Sequence, residues 1–200
     1  MSDTPALKLA IDLVHVPSQV RLLRREPLPE GVPTLLRLAA GDQEAESAAV
    51  ELTGRSAAVV RQAAAFFVEQ ILFAPNADSY RVLGASHTAT AAELRRNAAL
   101  LMRWLHPDLD PRGERSIFAG RVTAAWNDLK TPDRRAAYDA LLQRSVHKHR
   151  GRNGYSRRGR TGSGDRRQGL GPQDARLSRG FQRMGFLWRA LSVLFHRPLP

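Results

Sequence analysis

The sequence predicts an all-α fold, and three observations carry that prediction. Apolar residues recur at three-and-four spacing in two neighbouring stretches. Leu94, Ala98, Leu101, Met102 and Leu105 make one stripe, and Phe118, Val122, Ala125 and Leu129 the next, with Trp126 beside them. That period belongs to one face of a helix. Thr90-Ala91-Ala92-Glu93 fits a capping box, in which the Thr hydroxyl takes an orphan N–H and the Glu carboxylate reaches back to the cap. Start and stop residues also fall where stripes begin and end: Asp42, Ser56, Thr53-Gly54, Pro75 and Thr131-Pro132.

Taken in order, residues 1–76 read as a mostly helical N-terminal region. Leu7 to Val14 is a short strand or a helical turn, and Pro27, Pro29, Gly31 and Pro33 then break regular structure. A short helix follows over 34–40. Asp42 caps another that runs to about Leu52 and ends at Thr53-Gly54. Ser56 caps a third over 57–73, with Val59, Ala63, Phe66, Phe67, Gln70 and Phe73 at helical spacing and Val60, Ala64, Ile71 and Leu72 widening the apolar face. So wide a stripe implies burial against other helices. Over 79–143, Tyr80 to Leu83 is a short helix. The two striped helices, 91–105 and 116–129, then pair as an antiparallel hairpin that buries Leu94, Leu101, Val122 and Leu129. Thr131-Pro132 starts a last short helix with Tyr138 and Leu141 on its inner side. Residues 144–180 are rich in Arg, Gly, Ser and Gln and read as a disordered linker. Over 181–196, Phe181, Trp188, Leu191 and Phe195 share one helical face, an amphipathic helix in need of an apolar contact.

Charge is unevenly spread. The net charge is +12, yet residues 1–143 hold 17 basic and 17 acidic side chains, while Arg144 to Pro200 hold 14 Lys and Arg against 2 acids. The tail is therefore the part suited to an anionic partner, a nucleic acid or a membrane surface. The chain has no cysteine, which excludes disulfides, thiolate metal sites and a thiol nucleophile. It also has no apolar run long enough to span a bilayer and no secretory start. A cytoplasmic location is expected, with peripheral membrane attachment as an alternative.

Between the two striped helices stands His106-Pro107-Asp108. Proline biases His106 away from helical angles, so the first helix should stop there, and its fixed φ aims the loop. Upstream lies Tyr80-x-x-Leu83-Gly84, and downstream Arg135-x-x-Tyr138-Asp139. This arrangement, over about 79–142, resembles a J-domain, the module of co-chaperones that stimulates ATPases of the heat-shock protein 70 (DnaK) class.

The resemblance implies that His106, Pro107 and Asp108 engage the chaperone and trigger its ATP hydrolysis. Asp108 can accept a charge-assisted bond from a partner arginine. The alternative is a loop cap at Asp108 and an incidental helix end at His106. The resemblance also implies a basic docking face, here Arg95, Arg96 and Arg103, for which a merely solvated face is the competing reading. Leu100 and Trp104 stand where the family usually has Lys or Arg, Ala98 where it has Tyr, and Leu109-Asp110 where a basic-Asn pair is common. Trp104 either contacts the partner or packs on the N-terminal helices. Tyr80, Phe118, Trp126 and Tyr138 read as core.

One His and one Asp on a loop, without nucleophile or metal, make a poor active site. His147-x-His149 is read as polar tail and not a metal pair. Gly162-x-Gly164 follows no strand and is not a phosphate loop. The expectation is a binding module with no cofactor and no catalytic residue, whose partner is a DnaK-type chaperone and whose client is unspecified. A J-like scaffold that binds nucleic acid or an anionic membrane through residues 144–200 is the alternative.

Overall fold

The computed structural model describes residues 5–110 and 113–154. They form helices and turns, with no strand among the described residues. The all-α expectation holds.

The N-terminal region contains α1 (Pro5–His15), a 3-10 turn (Pro17–Gln19), α2 (Val20–Leu23), α3 (Val32–Ala39), α4 (Gln43–Thr53) and α5 (Ala57–Phe67). The stretch left open between strand and turn is thus part of an 11-residue helix with Ala6, Leu7, Ala10, Ile11 and Leu13 buried. The Pro-Gly segment ends at Gly31, whose φ of 93° precedes α3, and Pro33 sits in that helix's first turn, where a missing N–H costs nothing. Asp42 caps α4 by accepting from Ala45 N–H at 3.1 Å. Arg37 donates to both Asp42 oxygens and, with the helix-start amides, holds that carboxyl below its ordinary value. Gly54 ends α4 in the left-handed region at φ 64°.

The helix expected over 57–73 needs two corrections. It is α-helical only to Phe67 and continues as a π-turn over Val68–Leu72. Its buried side is Val60, Ala63, Ala64, Phe67, Ile71 and Leu72, while Val59 is 37% exposed. The physical reason is crowding: α1, α3 and α4 all pack on α5, and the small residues Ala63 and Ala64 let them come close. Ser56 precedes the helix, but its side chain makes no capping bond.

The second half contains α6 (Ser79–Val82), α7 (Ala91–Trp104), a 3-10 turn (Ser116–Phe118), α8 (Ala119–Leu129) and α9 (Pro132–Gly154). The capping box at Thr90 is complete: Glu93 N–H donates to the Thr90 hydroxyl at 3.2 Å and Thr90 N–H to the Glu93 carboxylate at 2.7 Å. Leu94, Ala98, Leu101, Val122, Ala125 and Leu129 are buried between α7 and α8. The end of α7 meets the start of α8 through Trp104 and Phe118, ring centroids 6.3 Å apart. The start of α7 and the end of α8 both reach the α6 region, through Asn97 and Asp128, so the pair is antiparallel.

The last helix was expected to be short, yet α9 has 23 residues and runs past the linker boundary drawn at 144. Leu141, expected on its inner side, is 60% exposed; Leu142 packs on the core in its place. One residue of phase separates the two, and the contact at Tyr138 decides it. Beyond Gly154 the linker and the 181–196 segment, with Phe181, Trp188, Leu191 and Phe195, lie outside the described residues.

Both halves share one apolar core. Gly84, at φ 61°, shows how close they come: a Cβ there would lie 2.9 Å from Val32 Cγ1 and 3.3 Å from Leu36 and Leu72. Phe73 stacks on Trp104 at 6.0 Å and on Phe118 at 4.5 Å. Arg121 on α8 donates to the carbonyls of Phe73 and Ala74 at 2.7 and 2.8 Å. Arg81 donates to the carbonyls of Leu23 and Glu26, and its burial pushes the guanidinium below its ordinary value. The change of pattern near residue 77 is therefore not a gap in packing.

Candidate functional site: the tip of the hairpin

The site is built where α7 ends. Leu105 N–H donates to Leu101 O at 3.0 Å, and His106 N–H donates to Arg103 O, tightening the last turn. His106 O then collects the N–H groups of Leu109 and Asp110 at 2.9 and 3.0 Å. The chain thus folds over His106 while Pro107 sets its direction. His106 Nδ1 lies 3.2 Å from both Asp108 N and Asp108 Oδ2. As neutral imidazole it accepts the Asp108 N–H; as imidazolium it donates to the carboxylate. The His106 side chain is 41% exposed and that of Asp108 85%. A carboxylate and an imidazole, coupled and facing water, suit recognition of a cationic donor.

Asp110 behaves differently from its neighbours. It is buried, and its Oδ2 accepts Arg115 N–H at 2.8 Å, closing the far side of the loop. Sequence reading noted Asp110 only as a departure from the family pattern. The only local signal was that an Asp ahead of a Gly suits a turn; the bond to Arg115 N–H five residues on carries no sequence mark.

Arg95, Arg96 and Arg103 are all exposed on α7. At about 100° per residue the three lie on the side of α7 away from Leu94, Ala98, Leu101 and Leu105. The three arginines therefore lie on the exposed side of α7, and the tip follows directly after that helix. Trp104 does not belong to that exposed side. It is buried at 1% exposure under Phe73 and Phe118, which resolves its two readings in favour of packing on the N-terminal helices.

The flanking motifs meet at the opposite end of the hairpin. Arg135 donates to Tyr80 Oη at 2.8 Å and to the carbonyls of Ala89 and His87 at 2.7 Å each. Its guanidinium lies 5.3 Å from the Tyr80 ring centre. Tyr80 donates to Asp139 at 2.8 Å; burial and that carboxylate push its phenol above its ordinary value. Tyr138 Oη accepts Ser79 N–H at 2.7 Å, and the Ser79 hydroxyl donates to Asp128 at 2.7 Å. Asn97 Nδ2 donates to the carbonyls of Leu83 and Gly84. These residues hold the hairpin's base and do not belong to the tip. Among the described residues no group of His, Asp and Glu is arranged to hold a metal ion, and no helix is long and apolar enough to cross a membrane.

A helical hairpin with a His-Pro-Asp tip, a basic outer face and this base defines a J-domain-like segment. Residues 78–139 match the family described as DnaJ domain. The chaperone protein DnaJ of Tropheryma whipplei (strain Twist) is 42% identical over 62 residues, 31% of this chain and 17% of that protein. The chaperone protein DnaJ of Leifsonia xyli is 40% identical over 63 residues, 32% of this chain and 17% of that one. A curved DNA-binding protein of Coxiella burnetii is 38% identical over 66 residues, 32% of this chain and 20% of that protein. The chain thus spans about a fifth or less of these relatives' own length. No solved structure matches it. The resemblance read from the sequence is shown for this segment.

Proposed function

We propose that this protein is a J-domain co-chaperone. It docks on a DnaK-type chaperone through His106, Pro107, Asp108 and the face formed by Arg95, Arg96 and Arg103, and stimulates ATP hydrolysis by that partner to assist a client. It catalyses no reaction itself and works in the cytoplasm beside its chaperone. The observation that carries this reading is the tip: a His106–Asp108 pair that reaches water just past the end of α7, the helix that carries three exposed arginines, within a segment matching the DnaJ domain. Arginines on that face would raise the on-rate toward an acidic partner more than the final affinity. The test is steady-state ATPase of a DnaK-type chaperone with and without the protein. Stimulation by wild type and its loss in His106→Gln is the expected result. No stimulation of any such chaperone from the same cell would remove this reading.

A second role, compatible with the first, rests on the 14 basic against 2 acidic residues after Gln143. Residues 144–200 would place the protein on an anionic surface, a nucleic acid or a membrane, with binding that weakens steeply with salt. Trp188→Glu should abolish retention on anionic vesicles if a membrane is the target. Deleting residues 150–167 should matter more if it is nucleic acid.

A further inference from the structure

Among the described residues, Arg115 ties the tip to the N-terminal helices by an ion pair. Its backbone N–H donates to Asp110 Oδ2 at 2.8 Å, and its Nη1 donates to Leu109 O at 3.3 Å. Its guanidinium lies 4.8 Å from the Trp104 ring centre, at the end of α7. Its Nε lies 3.4 Å from Glu69 Oε1, with both side chains about two-thirds shielded, 27% and 32% exposed. Glu69 stands on the π-turn, and the next residue, Gln70, accepts two bonds from Arg24 through its carbonyl and side chain. A π-turn inserts one residue into a helix and so turns successive side chains to positions an α-helix does not offer. Here it lets Glu69 face the tip while Gln70 faces α2. Leu109 also leans toward the end of α3, since a Cβ built on Gly41 would lie 3.8 Å from Leu109 Cδ2.

We propose that Glu69 and Arg115 form a clamp through which the N-terminal helices hold the His106–Asp108 loop ready for docking. Residues 5–74 are then a working part of the effector and not a neighbouring module. The inference rests on the co-chaperone reading for its consequence, but its structural content stands apart from it. The bonds within the loop are local: Asp108 faces water, the N–H groups of Leu109 and Asp110 return to His106 and Pro107, and Asp110 O accepts Gly113 N–H. Such a loop opens locally at little cost unless something outside it fixes its ends. Arg115 fixes the far end from three directions: the Leu109 carbonyl, the Trp104 ring and the Glu69 carboxylate. When only a fraction of the free protein holds the competent loop, the apparent affinity for a partner falls by that fraction. The clamp raises the fraction before the partner arrives. Glu69 and Arg115 are positioning residues, since neither lies on the docking face itself.

The experiment uses the full chain and two variants. Glu69→Leu keeps length and removes the acceptor; Arg115→Ala removes the stack, the ion pair and the carbonyl bond together. Backbone amide exchange is read at Leu109, Asp110 and Gly113, with the amides of 94–101 as internal reference. The expected result is faster exchange confined to the tip, by about threefold for Glu69→Leu and about tenfold for Arg115→Ala. The concentration giving half-maximal stimulation of a DnaK-type chaperone should rise by the same factors with its maximum retained. Unchanged tip exchange overturns the clamp, as does a rise shared equally by 94–101, which would mean a general loss of stability. A loosened tip with an unchanged half-maximal concentration also overturns it. If wild type stimulates no chaperone while the variants loosen the tip, the clamp stands and the co-chaperone reading falls.

Discussion

The two ends of the hairpin use polar residues in opposite ways. At the base, Arg135, Tyr80, Asp139, Tyr138, Ser79 and Asp128 satisfy one another within a few ångströms. At the tip, Asp108 and much of His106 are turned to water. Both ends belong to the pattern by which the segment resembles a J-domain, yet one end is turned into the fold and the Asp108 carboxylate of the other is turned to water. A motif residue therefore earns a functional role only when its side chain is not already used up by its own chain. Tyr138-Asp139 and His106-Pro107-Asp108 look equally telling in the sequence, but Tyr138 and Asp139 are engaged at the base, whereas the Asp108 side chain is 85% exposed.

The comparison breaks first on the tip. Asp108→Asn should abolish stimulation of a DnaK-type chaperone while unfolding free energy changes by less than about 0.5 kcal/mol, as for an exposed surface substitution. A large loss of stability would mean the tip is part of the core. Leu101→Ala, in the buried seam, should do the reverse and cost about 2–5 kcal/mol in denaturant unfolding. Arg135→Leu leaves two carbonyls and the Tyr80 hydroxyl without their donor, and should cost about 2–3 kcal/mol. Its folded fraction should still stimulate if the docking surface is the tip and not the base. A selective loss of stimulation at full stability would move the base into the docking surface.

The smallest effect concerns acid. The Glu93 carboxyl is held below its ordinary value by the Thr90 N–H and hydroxyl. A lowered folded value means its contribution is present above the unfolded value, roughly 4.3, and is lost as pH falls through the lowered one. Glu93→Gln should therefore flatten the fall of melting temperature on the acid side of that range. An identical acid profile in the variant would show that the capping box does not contribute there.

Much of this was legible from the sequence, for identifiable reasons. The stripes of α7 and α8 read correctly because each helix has one buried side and one neighbour across it. Asp42 and Thr90 read correctly because capping is local chemistry. The buried face of α5 was read too wide at one edge, where Val59 is exposed beside Arg61 and Gln62, because packing by three helices broadens the apolar stripe without marking where it stops. The π-turn leaves no mark in composition. Leu141 and Leu142 differ by one position, and only the tertiary contact at Tyr138 chooses between them. The Glu69–Arg115 pair joins residues far apart in sequence, in a loop and a helix end whose meeting no local rule predicts. Trp104 stood at a position where the family pattern expects a cation, and its burial came from aromatic partners, Phe73 and Phe118, on different segments.

Arg121 gives the junction between the two halves an unexpected mechanical character. Residues 73–78, with Ala74, Pro75 and Asn76, have the look of a connector that bends, where a protease would nick a two-module chain. Two carbonyls of that connector, on Phe73 and Ala74, are gripped by a guanidinium from α8, which also lies 5.6 Å from the Phe73 ring centre. A connector held in this way is a splice and not a hinge. Turning the N-terminal helices against the second helix of the hairpin would first have to break both of these Arg121 bonds.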